Sequence, residues 1–280
     1  MIPAAFEYTK PSSLDEAVRA LADGGEDAKA LAGGHSLLPL MKLRLATPTL
    51  LVDIGELPGL RGVQRENGDV RIGALTRHVD LQSSPELGIW SLAASQIADQ
   101  QVRNRGTVGG SLAHGDPASD PPTVFRTVGG SATLHGPSGQ RSVDAAELFE
   151  DYLTTRVAQD EILTEIRVPA LDGYGYAYEK FTRRAEDWAM VGVCVVLRTD
   201  GDTVADVRVG LANMGSTPLR ATAVEDALRG QSTGAIASAA EHAADGTSPP
   251  ADLNASADFK AHLARVLTRR ALTRAAGLGG

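Results

Sequence analysis

Two short segments limit what this chain can fold into: Ala32-Gly33-Gly34-His35-Ser36 and Thr107-Val108-Gly109-Gly110-Ser111. Each joins adjacent glycines to a Ser or Thr hydroxyl. A glycine pair leaves no side chain over the backbone and tolerates positive φ, so successive N–H groups can converge on one anion. A short strand expected over 28–32 runs into the first glycine pair, which opens a helical pattern over 37–45, with Pro39 accommodated in the first turn. Two such turns facing each other would hold a diphosphate without Lys or Arg. Taken alone, a glycine pair is weak evidence, because the chain has 30 glycines and Gly24-Gly25 and Gly129-Gly130 read as ordinary turns. Neither GxGxxG nor GxxxxGK[ST] occurs, which excludes a Rossmann fingerprint and a P-loop.

The rest of the chain organises around these turns. Residues 1–55 read as strand, glycine turn, helix and strand, and so as a parallel pair. Ser12 or Ser13 starts a helix that Gly24-Gly25 ends. Asn67-Gly68, between the segments Gly62-Val63-Gln64-Arg65 and Val70-Arg71-Ile72-Gly73-Ala74, signals a hairpin. Helices are expected over 79–83, 88–98 and 116–128, and strands over 131–134 and 162–168. The stretch 100–111 has no regular periodicity. Pro169-Ala170-Leu171-Asp172-Gly173 is the best boundary, giving units 1–172 (subdivided near 55) and 173–280. Beyond it, strands at 174–181, 190–198 and 204–211 alternate as an antiparallel sheet, followed by helices over 222–228, 234–244 and 257–275. The tail Gly277-Leu278-Gly279-Gly280 reads as loose. The fold class is α+β.

Composition removes several functions. With 27 basic and 35 acidic residues the net charge is −8, a poor match for nucleic-acid phosphates. No apolar run is long enough to span a membrane, and the start Met1-Ile2-Pro3-Ala4-Ala5-Phe6-Glu7 has no signal-peptide pattern, so the expected compartment is the cytoplasm. The single cysteine, Cys194, lies in an apolar run and reads as a buried strand residue. It excludes an internal disulfide and a thiolate-ligated zinc or iron–sulfur centre built from this chain alone. Scattered histidines give no metal motif, and no GxSxG or Ser–His–Asp signature is present, so no catalytic residue is assigned.

The wording around the two turns goes further. Residues 32–44 (AGGHSLLPLMKLR) closely resemble the first flavin loop of the FAD subunits of molybdenum hydroxylases, and residues 101–111 (QVRNRGTVGGS) resemble the second. The similarity extends to Arg71-Ile72-Gly73-Ala74-Leu75-Thr76, to Asp116-Pro117-Ala118-Ser119-Asp120, and to Tyr178-Glu179-Lys180 with residues 184–189 (RAEDWA). It covers nearly the whole chain, in order, and is nearest the medium-subunit type of carbon monoxide dehydrogenase; xanthine dehydrogenase carries the same module in a longer chain. The resemblance implies a two-part FAD-binding PCMH-type (vanillyl-alcohol-oxidase-like) domain, followed by a C-terminal antiparallel sheet with helices. It also implies non-covalent FAD, a large molybdopterin-binding subunit and a small [2Fe–2S] subunit as partners, assembled as a dimer of heterotrimers in the cytoplasm or held at the inner membrane face through the complex. Electrons would pass from the clusters to FAD and then to an external acceptor. A free-standing flavin oxidase with its own organic substrate, and a scaffold that has lost its cofactor, are the alternatives.

Carried onto this sequence, the resemblance assigns Ala32, Gly33, Gly34, His35 and Ser36 with Thr107, Val108, Gly109, Gly110 and Ser111 to the cofactor. Backbone N–H groups of Gly33, Gly34, His35 and Ser36 would hold one side of the pyrophosphate and those of Gly109, Gly110 and Ser111 the other, while Thr107 would bond the cofactor or only its own turn. On this reading a Cβ at Gly33 would stand over the phosphates. Ser111 stands where many relatives have Asn, so its reach is shorter. Ser36 reads equally well as a helix cap. Asp120 matches an acid near the ribityl or ribose hydroxyls, with a helix cap before Pro121 as the plainer reading. Leu163 matches a residue whose backbone lies by the flavin ring. Lys180 matches a basic residue near the flavin or its phosphates, against a solvated lysine. Trp188 would shield the isoalloxazine ring, against ordinary core packing. Arg103 and Arg105 would orient the second loop or pair with surface acids.

Overall fold

The computed structural model describes residues 2–278; Met1 and the last two residues of the tail, Gly279 and Gly280, lie outside the described residues. The chain begins with β1 (Glu7–Thr9), α1 (Leu14–Gly24), β2 (Ala28–Leu31), α2 (Leu37–Leu43) and β3 (Leu50–Asp53). The three strands form a parallel sheet in the order β1-β3-β2, so the expected parallel pair is present and the short β1 extends it. Ser13 caps α1, its Oγ accepting from the Glu16 N–H at 3.2 Å, and the Ser12 N–H donates to the Glu16 carboxylate at 2.8 Å. Ala17, Val18 and Leu21 recur at helical spacing and are buried. Burial of the valine and leucine side chains holds α1 to the sheet, worth about 1.5–3 kcal/mol each.

A second layer holds β4 (Val63–Glu66), β5 (Asp69–Gly73), β6 (Ser131–Gly136), β7 (Gly139–Asp144) and β10 (Ile162–Pro169), in the order β4-β5-β10-β6-β7. All its pairings are antiparallel, so the antiparallel region starts here and not beyond residue 173. The hairpin turns at Asn67-Gly68 as the sequence signals. β8 (Phe149–Asp151) and β9 (Thr154–Thr155) make a small separate ribbon. Helices α3 (His78–Gln82), α4 (Ile89–Ser95), α5 (Gln100–Arg103), α6 (Val108–His114) and α7 (Asp120–Val128) lie between β5 and β6 in the chain. The aperiodic stretch is therefore two short helices, too brief for a hydrophobic period to register. Each is capped by a side chain: Asp99 Oδ1 accepts from the Val102 N–H at 2.8 Å, and Thr107 Oγ1 from the Gly110 N–H at 3.2 Å.

The C-terminal part is an antiparallel sheet in the order β11-β12-β13-β14, from β11 (Gly175–Phe181), β12 (Val191–Asp200), β13 (Thr203–Ala212) and β14 (Leu219–Arg220). Helices α8 (Thr222–Leu228), α9 (Ile236–Ala240) and α10 (Ala257–Ala275) follow. β12 is apolar without alternation because both its faces are covered. Val191, Val193, Val195 and Leu197 pack with α8 and α10 in one core. Cys194 and Val196 turn the other way, into the core that holds α4, α7 and the five-stranded sheet. Cys194 is fully buried, as its apolar setting predicts. The sheet is thus sandwiched, and its inner face reaches the first part of the molecule.

A nucleotide-sized cavity between two glycine turns

The two turns meet. An ideal Cβ on Gly33 would stand 2.4 Å from the Arg105 carbonyl oxygen, and one on Gly110 would stand 3.9 Å from the Ala32 Cβ. Gly33 is therefore required by the approach of the opposite main chain; the expected clash with phosphates gives way to a clash with protein backbone. The turns border a cavity of about 540 Å³. Ala32, Gly33, Gly34, His35, Ser36, Thr107, Gly109, Gly110, Ser111, Asp120, Leu163, Lys180 and Trp188 all line it. Val108 does not. It is fully buried, and its N–H donates to the Thr76 carbonyl at 3.0 Å.

The two sides differ in chemistry. The N–H groups of Gly33, Gly34, His35 and Ser36 meet no acceptor among the described residues, so the first turn offers four open donors. Ser36 supplies no side-chain cap to α2, which removes the capping account of that residue. On the second side the sequence reading needs correction. The Gly109 N–H donates to the Ala74 carbonyl at 2.8 Å, and the Ser111 N–H to the Thr107 carbonyl at 3.1 Å. With the Gly110 N–H spent on the Thr107 cap, this turn is an internally bonded helix start and not a backbone cradle. Its remaining polar reach is the side chain of Ser111, which is 3.2 Å from His78 Nε2. Arg103, expected to orient the second loop or to pair with surface acids, donates to the Ile97 and Ala98 carbonyls at 2.6 and 2.8 Å, on the stretch just before α5.

Asp120 opens α7 on the floor of the cavity and does not act as a cap. Its Oδ1 accepts from Tyr178 Oη at 2.7 Å and its Oδ2 from Lys180 Nζ at 2.8 Å. Lys180 also donates to the Gln96 carbonyl at 3.1 Å and is buried, so the solvated-lysine reading fails. Tyr178 and Lys180 are two apart on β11, which points both at α7. Burial pushes the Asp120 carboxyl up, while Lys180 and Tyr178 pull it down. Burial and the adjacent carboxylate push the Tyr178 hydroxyl well above its ordinary value. Leu163 is buried on β10, beside a bulge where its pairing with β6 shifts register and beyond the end of β5. Trp188 is 54% exposed, so core packing does not explain it; it stands at the mouth of the cavity with Glu186 and Asp187.

Sequence reading missed three residues of this site. Tyr178 lies inside a segment already singled out, but its role needs the β11–α7 contact. Gln96 reaches β11 twice, its carbonyl accepting from Lys180 Nζ at 3.1 Å and its side-chain amide donating to the Tyr178 carbonyl at 3.2 Å, contacts that leave no mark in the sequence. His78, a buried imidazole against Ser111, carries no local motif. Burial, with the nearby His35 and Arg103, holds its pKa down to about 4.

Residues 4–171 match the family model of the FAD binding domain in molybdopterin dehydrogenase, and residues 176–275 match the CO dehydrogenase flavoprotein C-terminal domain. The chain is 45% identical to the carbon monoxide dehydrogenase medium chain of Hydrogenophaga pseudoflava, covering 98% of each. It is 35% identical to the glyceraldehyde dehydrogenase medium chain of Sulfolobus acidocaldarius, covering 99% of this chain and 100% of the relative. Among solved structures, a carbon monoxide dehydrogenase from Hydrogenophaga pseudoflava superposes with a TM-score of 0.96 at 46% identity, over the full length of both chains.

Proposed function

The chain belongs to the FAD-binding subunit family of molybdenum hydroxylases, and from that premise we propose that it is the electron-transfer subunit of such a complex. In this reading it takes electrons from the [2Fe–2S] clusters of a small partner subunit and delivers them to an external acceptor. A large molybdopterin-binding subunit performs the hydroxylation, and the whole is a cytoplasmic dimer of heterotrimers. Residues 1–172 form the FAD-binding unit, in subdomains 1–55 and 56–172, and residues 173–280 complete it. The observation that carries the reading is the set of four unpaired N–H groups at Gly33–Ser36 lining a cavity of nucleotide size. Open main-chain donors at a glycine turn suit an anion, and they let an acidic chain bind one. Among the described residues no cluster of His, Cys, Asp and Glu is arranged for a metal, and no helix is long and apolar enough to cross a membrane.

FAD, when bound, supplies the redox chemistry; the chain supplies binding, orientation and shielding. The first turn would hold the pyrophosphate through its four N–H groups. Ser111 would meet the opposite side by its hydroxyl. The Asp120 carboxylate, held in place by Tyr178 and Lys180, would accept hydroxyl groups of the ribityl or ribose part. Leu163 would present backbone to the flavin ring, and Trp188 would stack over its exposed face. The two relatives belong to a carbon monoxide dehydrogenase and a glyceraldehyde dehydrogenase, which fits a chain that carries electrons and leaves substrate choice to its partner.

The test is the native assembly purified with its partners. It should show flavin absorbance and release one FAD per copy of this chain on denaturation. Gly33→Ala, which drives a Cβ into the Arg105 carbonyl at 2.4 Å, should abolish retention. An assembly with folded chain and no flavin would refute the proposal, and turnover of an organic substrate by this chain alone would favour a free-standing oxidase.

A further inference from the structure

His78 is the first residue of α3, and its ring is pressed against the loop that joins α5 to α6. Its N–H donates to the Gly106 carbonyl at 3.0 Å, and a Cβ on Gly106 would stand 2.7 Å from its Cδ2. Nε2 is 3.2 Å from Ser111 Oγ, whereas the buried Nδ1 meets no polar partner. A neutral imidazole has one N–H to place. On Nδ1 it would be a buried donor without an acceptor, which is the costly case; on Nε2 it meets the Ser111 oxygen. The ring therefore carries its proton on Nε2 and donates to Ser111.

That direction has a consequence for the serine. The Ser111 main-chain N–H is already bonded to the Thr107 carbonyl. Its hydroxyl does not turn back onto the preceding turn, the usual resort of a helical serine, and His78 is its partner among the described residues. With its oxygen accepting from His78, the hydroxyl proton is left to point into the cavity that both residues line.

We propose that His78 is a positioning residue: by donating from Nε2 to Ser111 Oγ, it turns the Ser111 hydroxyl into a donor aimed at a phosphate oxygen of the nucleotide held between the two turns. This rests on the FAD reading of the same cavity. It gives the second turn, whose own N–H groups are internally bonded, a donor to match those of the first.

The experiment uses the native assembly stripped of flavin and titrated with FAD, with 31P NMR of the bound pyrophosphate as a second readout. Ser111→Ala should raise the FAD dissociation constant about tenfold, the size of one hydrogen bond to a charged group. His78→Leu should raise it similarly and shift the same phosphorus resonance. The double variant should be no weaker than Ser111→Ala alone, and His78→Gln, which keeps an N–H, should recover most of the affinity. Additive losses in the double variant, or an unchanged dissociation constant in His78→Leu, would overturn the proposal while leaving FAD binding intact. Wild-type assembly that takes up no FAD would instead sink the function proposed above. If His78→Leu does not fold, 15N NMR of the histidine-labelled wild type decides: a proton on Nε2 is expected, and a proton on Nδ1 would overturn the assignment.

Discussion

Asp120 and Lys180 are both buried, and each is tolerable because of the other. Removing only the cation leaves a charge without a partner in low dielectric, so Lys180→Met should cost about 3–5 kcal/mol. Combining it with Asp120→Asn should restore part of that loss, as read by urea unfolding in a double-mutant cycle. His78 makes a prediction in pH. Its folded pKa of about 4 lies below the ordinary 6.5, through burial first and then the neighbouring His35 and Arg103. Below pH 6.5 the unfolded chain gains a proton that the folded chain refuses until about pH 4. Stability present above 6.5 is therefore lost as pH falls through that window, by roughly 3 kcal/mol at 1.36 kcal/mol per unit. His78→Gln should flatten this part of the stability curve, measured by denaturation at stepped pH. Residues named by the sequence for their type, such as Asp120 and Lys180, were legible as candidates. That they neutralise each other was not, because the contact joins α7 to a strand 60 positions away.

At the level of elements, the two turns look alike in sequence and work differently. Gly33 and Gly34 lead into a helix whose cap side chain makes no bond, leaving the preceding N–H groups open. Gly109 and Gly110 lie inside a helix that Thr107 caps and that Ala74 anchors. Thr107→Ala should therefore cost about 1 kcal/mol of stability and Thr107→Ser much less, as seen in thermal unfolding. Gly109→Ala should be worse, about 1–3 kcal/mol, because its Cβ would stand 2.4 Å from the Ala74 Cβ against the end of β5. Long elements were readable: the helix expected over 257–275 is α10, with Leu263, Leu267 and Ala271 buried at helical spacing. Short ones were not. β1, β7, β8, β9 and β14 depend on their pairing partners, and neither α5 nor α6 is long enough to show a period.

Across the whole molecule, the C-terminal sheet is part of the first core and not an appendage. Tyr178, Cys194 and Val196 are buried among Trp90, Phe125 and Leu134. A fragment ending at residue 172 should expose that face, bind a hydrophobic dye and aggregate, although a boundary at 169–173 reads cleanly in the sequence. Light scattering and dye fluorescence on the fragment would check it. In the native assembly, FAD at one hundred times its dissociation constant should add about 2.7 kcal/mol to the stability of the intact chain.

The contact between Gly33 and the Arg105 main chain has a last implication. Two lobes that touch through bare backbone behave like the jaws of a caliper closed on its stop: the gap is gauged by peptide groups, which cannot be trimmed by changing a rotamer. Resizing this cleft for a bulkier or slimmer coenzyme would therefore require rebuilding both jaws together, since alteration of either one alone only jams the instrument.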